Sequence, residues 1–98
     1  MKVDLDNRGL TAIPAEALGD QSITSLNLYR NALTELPDAL WQLTQLETLN
    51  VADNQLASIA NGIGRLQRLR MLDLGHNRLT AVPDARVAQG CPAILAAP

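Results

Sequence analysis

A chain of 98 residues with 47 % hydrophobic content has room for one folded domain and is too apolar to be disordered. Aromatic residues supply only 2 %, from Tyr29 and Trp41, so any core must be aliphatic. Eight basic against ten acidic residues leave a net charge of −2, which favours neither nucleic acid nor an anionic membrane as a partner.

From the N-terminus, Val3 and Leu5 alternate with Asp4 and Asp6, the mark of a short strand with one buried face. Ile13–Pro14 then opens a return segment in which Leu18 stands one place late and Ala17 takes the core slot. Ile23 to Leu36 reads I-T-S-L-N-L-Y-R-N-A-L-T-E-L, and Leu46 to Ile59 repeats the skeleton as L-E-T-L-N-V-A-D-N-Q-L-A-S-I. Leu69 to Val82 repeats it again. Asn31, Asn54 and Asn77 mark the period: 54 − 31 = 23 and 77 − 54 = 23. The copies run over about 1–22, 23–45, 46–68 and 69–91, and a degenerate tail covers 92–98.

The return arms differ. Leu36, Leu40 and Leu43 follow helical spacing around Pro37, whereas Ile63 and Leu66 are interrupted by Gly62 and Gly64, so short 3₁₀ or single-turn helix is expected. If Leu40 points inward, Trp41 is expected to point outward on the convex side, either folded over Pro37 or making a second contact. In the last copy Arg86 and Gln89 fill apolar slots and Val87 is shifted by one. Ile94 and Leu95 then offer a crude lid without a polar cap, so the two ends, around Val3–Leu5 and Ile94–Leu95, are open to homo-association.

A period in this range with the skeleton L-x-x-L-x-L-x-x-N-x-L-x-x-L-P resembles the leucine-rich repeat superfamily in its 23-residue form. It is similar to the intracellular Ras-group repeats and to bacterial repeat effectors and repeat-containing kinases. The resemblance spans Val3 to about Val87. It implies an α/β right-handed solenoid of about four repeats, with a parallel sheet on the concave face and short 3₁₀ or helical turns on the convex face. One repeat cannot bury its leucines alone, and stacking gives them a continuous aliphatic core.

Asn31, Asn54 and Asn77 stand where the chain leaves the sheet, and an amide that both donates and accepts suits a structural turn ladder. Arg8 replaces the asparagine in the first copy. Four columns line the free sheet face: Lys2, Ser25, Thr48, Met71; Asp4, Asn27, Asn50, Asp73; Asp6, Tyr29, Ala52, Gly75; and Asn7, Arg30, Asp53, His76 at the edge. From them the partner-binding candidates are Ser25, Asn27, Tyr29, Arg30, Thr48, Asn50, Asp53, Met71, Asp73 and His76. Tyr, Arg and Met are enriched at interface cores.

No catalytic constellation or phosphate loop is present, so neither catalysis nor a cofactor is expected. One histidine, His76, and one cysteine, Cys91, leave no zinc site of the usual four ligands. A lone cysteine forms no internal disulfide, the acidic N-terminus is unlike a signal peptide, and no apolar run is long enough to span a bilayer. These features point to the cytoplasm or to a translocated bacterial effector. One lysine beside seven arginines, with much alanine, fits a bacterial source. The expected function is a non-catalytic protein-interaction module that binds through the concave face. The alternatives are the recognition segment of a larger enzyme, a kinase or ubiquitin ligase, and a self-associating solenoid.

Overall fold

Five strands of three residues lie side by side in one parallel sheet, in chain order. They are β1 Lys2–Asp4, β2 Ser25–Asn27, β3 Thr48–Asn50, β4 Met71–Asp73 and β5 Ala93–Leu95. The computed structural model describes residues 1–59 and 61–79 and the backbone of Ala93–Leu95. Expectations for Arg86, Val87, Gln89 and Cys91 lie outside the described residues.

The register follows the sequence period: Val3 pairs with Leu26, Leu26 with Leu49, and Leu49 with Leu72. Alternate side chains on a strand face opposite ways, so the central residue of each strand points to one side and its neighbours to the other. Leu26, Leu49 and Leu72 are buried, while the flanking positions stay half-exposed. β5 departs from the four-strand expectation. Its backbone pairs Ile94 with Leu72 at a spacing of 94 − 72 = 22, so the tail adds a strand to the sheet.

On the other side the chain returns through 3₁₀ helices at Ala15–Leu18, Asp38–Gln42 and Asn61–Arg65. Their starts keep the period, 38 − 15 = 23 and 61 − 38 = 23. Pro14 and Pro37 precede the first two, where a missing N–H leaves no helical bond unmade. The aliphatic core fills the space between sheet and arms in stacked rows, such as Ile23, Leu46, Leu69 and Leu28, Val51, Leu74. Each fully buried leucine contributes about 1.5–3 kcal/mol. Burial fades toward the first copy, where Val3, Leu5 and Leu10 are only partly covered.

Trp41 corrects the sequence expectation. It is 2 % exposed, and Leu40 beside it is also buried. A 3₁₀ turn advances about 120° per residue, so two consecutive residues can straddle the inward direction. Leu18 occupies the same slot one copy earlier, and it too is buried. Gly62 supplies the room on the next arm: a Cβ there would lie 2.6 Å from the indole Nε1. Among the described residues no helix is long and apolar enough to cross a membrane.

Candidate binding face

The side of the sheet away from the core carries no layer of protein among the described residues. Its columns are set by hydrogen bonds that continue past the strands. Leu28 N–H donates to Asn50 O at 2.7 Å and Arg30 N–H to Ala52 O at 3.0 Å. The next pair repeats this, with Val51 N–H donating to Asp73 O at 3.0 Å and Asp53 N–H to Gly75 O at 2.8 Å. Tyr29, Ala52 and Gly75 therefore lie side by side.

Beyond this row the chain turns sharply. Asn7, Arg30, Asp53 and His76 adopt left-handed backbone, with φ of 54°, 61°, 57° and 56°. Four non-glycine residues in that region, at one position of four successive copies, make the edge column the strained part of the face. The following asparagine holds the turn. Asn54 Nδ2 donates to Leu28 O and Val51 O at 3.0 Å and to Ala52 O at 3.1 Å, while its Oδ1 accepts from Leu33 N–H at 3.0 Å. Asn77 repeats the pattern on Val51, Leu74 and Leu56. Asn31 does so on Leu5 and Leu28, and its Oδ1 accepts from both Arg8 and Leu10 N–H. Each amide ties its own copy to the one before it. With no earlier copy to reach among the described residues, Arg8 instead turns its guanidinium back to Asp4 O at 3.4 Å.

The face residues divide by how occupied they are. Asn27, Asn50 and Asp73 each use Oδ1 to accept the N–H two residues on, at 3.0, 3.0 and 3.1 Å. Those bonds shape the strand exits. Asn27 Nδ2 donates to Asp4 Oδ1 at 3.0 Å, and Thr48 Oγ donates to Ser25 Oγ at 2.7 Å. Met71 is half-buried in the same column as that hydroxyl pair. Tyr29 is 40 % exposed, and next to it Ala52 and Gly75 are buried. The exposed tyrosine thus heads a row whose other members are small and buried. Arg30 and His76 are exposed at the rim, with Asp53 half-buried between them.

Ala52 and Gly75 were not among the expected contact residues. Their signal lay in the column itself, where a tyrosine is followed at the 23-residue spacing by alanine and then glycine. At the β1 end, Asp6 has its pKa raised by a hydrogen bond with the Asp4 carboxyl and by that group's like charge, despite the opposing pull of Arg8. Among the described residues no group of His, Cys, Asp and Glu is arranged to hold a metal ion. Away from the sheet face, a shallow hollow of about 330 Å³ lies between Thr11–Ile13 and Thr34–Asp38, with Glu35 and Asp38 on its wall.

The pattern that defines the leucine rich repeat family matches residues 1–56. Among solved structures, a leucine-rich repeat protein of Leptospira interrogans superposes with a TM-score of 0.82 at 27 % identity, over 94 % of this chain and 24 % of that one. The leucine-rich repeat ectodomain of the receptor kinase SOBIR1 from Arabidopsis thaliana gives a TM-score of 0.72 at 18 % identity, over 96 % of this chain and 68 % of that one. The second likeness is one of fold alone. The chain spans about a quarter of the length of the Leptospira protein. Among curated proteins none matches it.

Proposed function

Because the chain belongs to the leucine-rich repeat family, whose domains are commonly protein-interaction modules, we propose that it is a non-catalytic module that binds a protein across the open face of its sheet. The observation that carries this reading is the asymmetry of the sheet. Leu26, Leu49 and Leu72 on one face are buried against the return arms, while the other face carries no layer of protein among the described residues and presents the half-exposed Tyr29. Most surface hydrophobics are unremarkable, but an exposed aromatic on the sheet face is the kind of anchor that interfaces use. Arg30, Asn50, Asp53, Asp73 and His76 surround it as the polar rim.

Two features extend the reading. The Leptospira neighbour is about four times as long as this chain, and the Arabidopsis neighbour is the ectodomain of a receptor kinase. The length of the first supports the chain as the recognition segment of a longer protein. A single cysteine in 98 residues supports a reducing, cytoplasmic setting, and the Leptospira neighbour supports a bacterial one.

The test is site-directed cross-linking from the sheet face. A photo-reactive side chain at Ser25 or Thr48 is expected to label the partner, and Tyr29→Ala with Asp73→Asn is expected to abolish labelling while leaving circular dichroism unchanged. Labelling only from Thr34 or Arg65, on the return arms, would move the site to the other side of the molecule.

A further inference from the structure

We propose that the outer edge of β1 docks a second copy of this chain, the two β1 strands pairing antiparallel about a two-fold axis at Val3. The proposal does not depend on where a foreign partner binds.

The backbone supplies the first argument. Among the described residues β1 is an outer strand of the sheet. Its odd-numbered residues direct their polar groups to β2. Met1 O accepts from Thr24 N–H, and Leu5 and Asn7 N–H donate to Asn27 O and Tyr29 O, all at 2.8 Å. Successive residues of a strand turn these groups to opposite sides, so the N–H and C=O of Lys2, Asp4 and Asp6 point away from β2. Such a row is a template for another strand. Asp4 O accepts from the Arg8 guanidinium at a long 3.4 Å, and a carbonyl has a second lone pair.

Apolar cover is the second argument. Leu26, Leu49 and Leu72 in the slot of Val3, and Leu28, Val51 and Leu74 in the slot of Leu5, are at most 1 % exposed. Val3 and Leu5 themselves are only partly covered. Met1, on the same side of the strand by alternation, is 51 % exposed. Each later copy in this comparison has a strand on both sides, and β1 has one.

Charge and shape then fix direction and register. Two like edges meet in parallel only if one copy turns over, which sets the open face of one beside the return arms of the other. An antiparallel pair keeps both open faces on the same side. With the axis at Asp4, the two Asp4 carboxylates stand opposite each other. With the axis at Val3, the centre of the strand Lys2–Asp4, Lys2 of each copy stands opposite Asp4 of the other. Their backbones exchange hydrogen bonds, Val3 meets Val3, and Met1 meets Leu5. Neither Lys2 nor Asp4 joins an ion pair within the chain, where the one pair among the described residues is Arg70 with Glu47. Edge charges commonly keep strands apart, but here they alternate in sign, so an antiparallel neighbour is attracted.

The contact is small, so the dimer is weak. The experiment is sedimentation of the 98-residue chain from about 10 µM to about 1 mM, with amide hydrogen exchange at both ends of that range. The dimer fraction is expected to rise with concentration, and with it protection of the Lys2 and Asp4 amides. Lys2→Asp and Asp4→Lys, both at exposed positions, are each expected to weaken the dimer by about ten-fold, because like charges then meet. An equal mixture of the two variants is expected to dimerise as the parent does. A monomer at the highest concentration would overturn the proposal. So would a dimer that both variants leave unchanged, a mixture that stays monomeric, or protection that appears only at Ala93–Leu95, the other edge. The exchange measurement uses the parent chain alone, so it decides the matter even where a variant unfolds.

Discussion

The Trp41 indole lies directly over Gly62, one return arm reaching across to the next, so closely that Gly62 has no space for a side chain. The ring is almost wholly buried, and its Nε1 finds no acceptor among the described residues. A buried donor without a partner costs about 1–3 kcal/mol, so the ring must gain more from the apolar surface it covers than its N–H loses. This contact joins the arms on the convex side much as the asparagines join the turns beside the sheet.

Gly62→Ala is expected to destabilise the fold by about 1–3 kcal/mol, because the added methyl must displace a packed ring. Trp41→Phe keeps most of the ring and removes the unpartnered N–H, so it is expected to cost less than 1 kcal/mol or to stabilise slightly. Denaturant melts of both variants and of the Gly62→Ala/Trp41→Ala double variant check the pair. If the contact is the cause, the glycine substitution loses most of its effect once the ring is gone.

Asn54 is the one polar residue buried among the described residues, with its three donated bonds all on backbone oxygens. Asn54→Ala is expected to cost about 1–3 kcal/mol, through backbone groups left unpaired. Leu49→Ala, at the centre of the sheet, is expected to cost about 2–5 kcal/mol. Asn31→Ala is expected to cost less than Asn54→Ala, because its turn is nearer to water. Equal melting of the Asn54→Ala variant and the parent would show that water replaces all of these bonds.

The leucine rows could be read from the sequence because a fixed period puts Ile23, Leu46 and Leu69 at one height of the stack, whatever the loops do. Trp41 could not be placed that way. Whether its slot faces in depends on the pitch of a five-residue 3₁₀ helix and on a glycine 21 residues further on. The same limit applies to Asn27, Asn50 and Asp73. An exposed asparagine or aspartate at a strand end reads as a contact residue, while its bond to the N–H two places on appears only with the coordinates. β5 was hidden because Ala93–Leu95 keeps little of the L-x-x-L-x-L skeleton and sits one residue short of the period. The left-handed column left only a faint trace, in its asparagine, aspartate and histidine, because it holds no glycine.

That column supplies a test of strain. At Arg30, with φ at 61°, a β-branched side chain crowds the backbone more than any other, so Arg30→Val is expected to lose about 1–2 kcal/mol. Arg30→Gly removes the clash but adds freedom to the unfolded chain, so the net change is expected to stay within about 1 kcal/mol. Thermal melts of the two variants separate by several degrees if the backbone, and not the guanidinium, governs this position.

The last expectation concerns pH and the acidic end of the sheet face. The neighbouring Asp4 carboxyl holds the Asp6 pKa above its ordinary value in the folded state. A raised folded-state pKa means that the fold prefers the protonated acid. Its contribution is therefore fully present below the unfolded-state pKa and is lost as pH rises through the folded-state value. Asp20 works in the opposite direction. Ser22 donates its hydroxyl and its N–H to Asp20 Oδ1 at 2.6 and 2.9 Å, which lowers the Asp20 pKa, so its contribution is present at neutral pH and fades on acidification. Asp6→Asn is accordingly expected to raise stability at neutral pH, with the gain shrinking toward acid, while Asp20→Ala is expected to lower it over the same range. Both side chains are exposed, so the shifts are small and call for paired denaturant melts at pH 3 and pH 7. A gain for Asp6→Asn that stays the same at both pH values would show that repulsion from Asp4 is not its source.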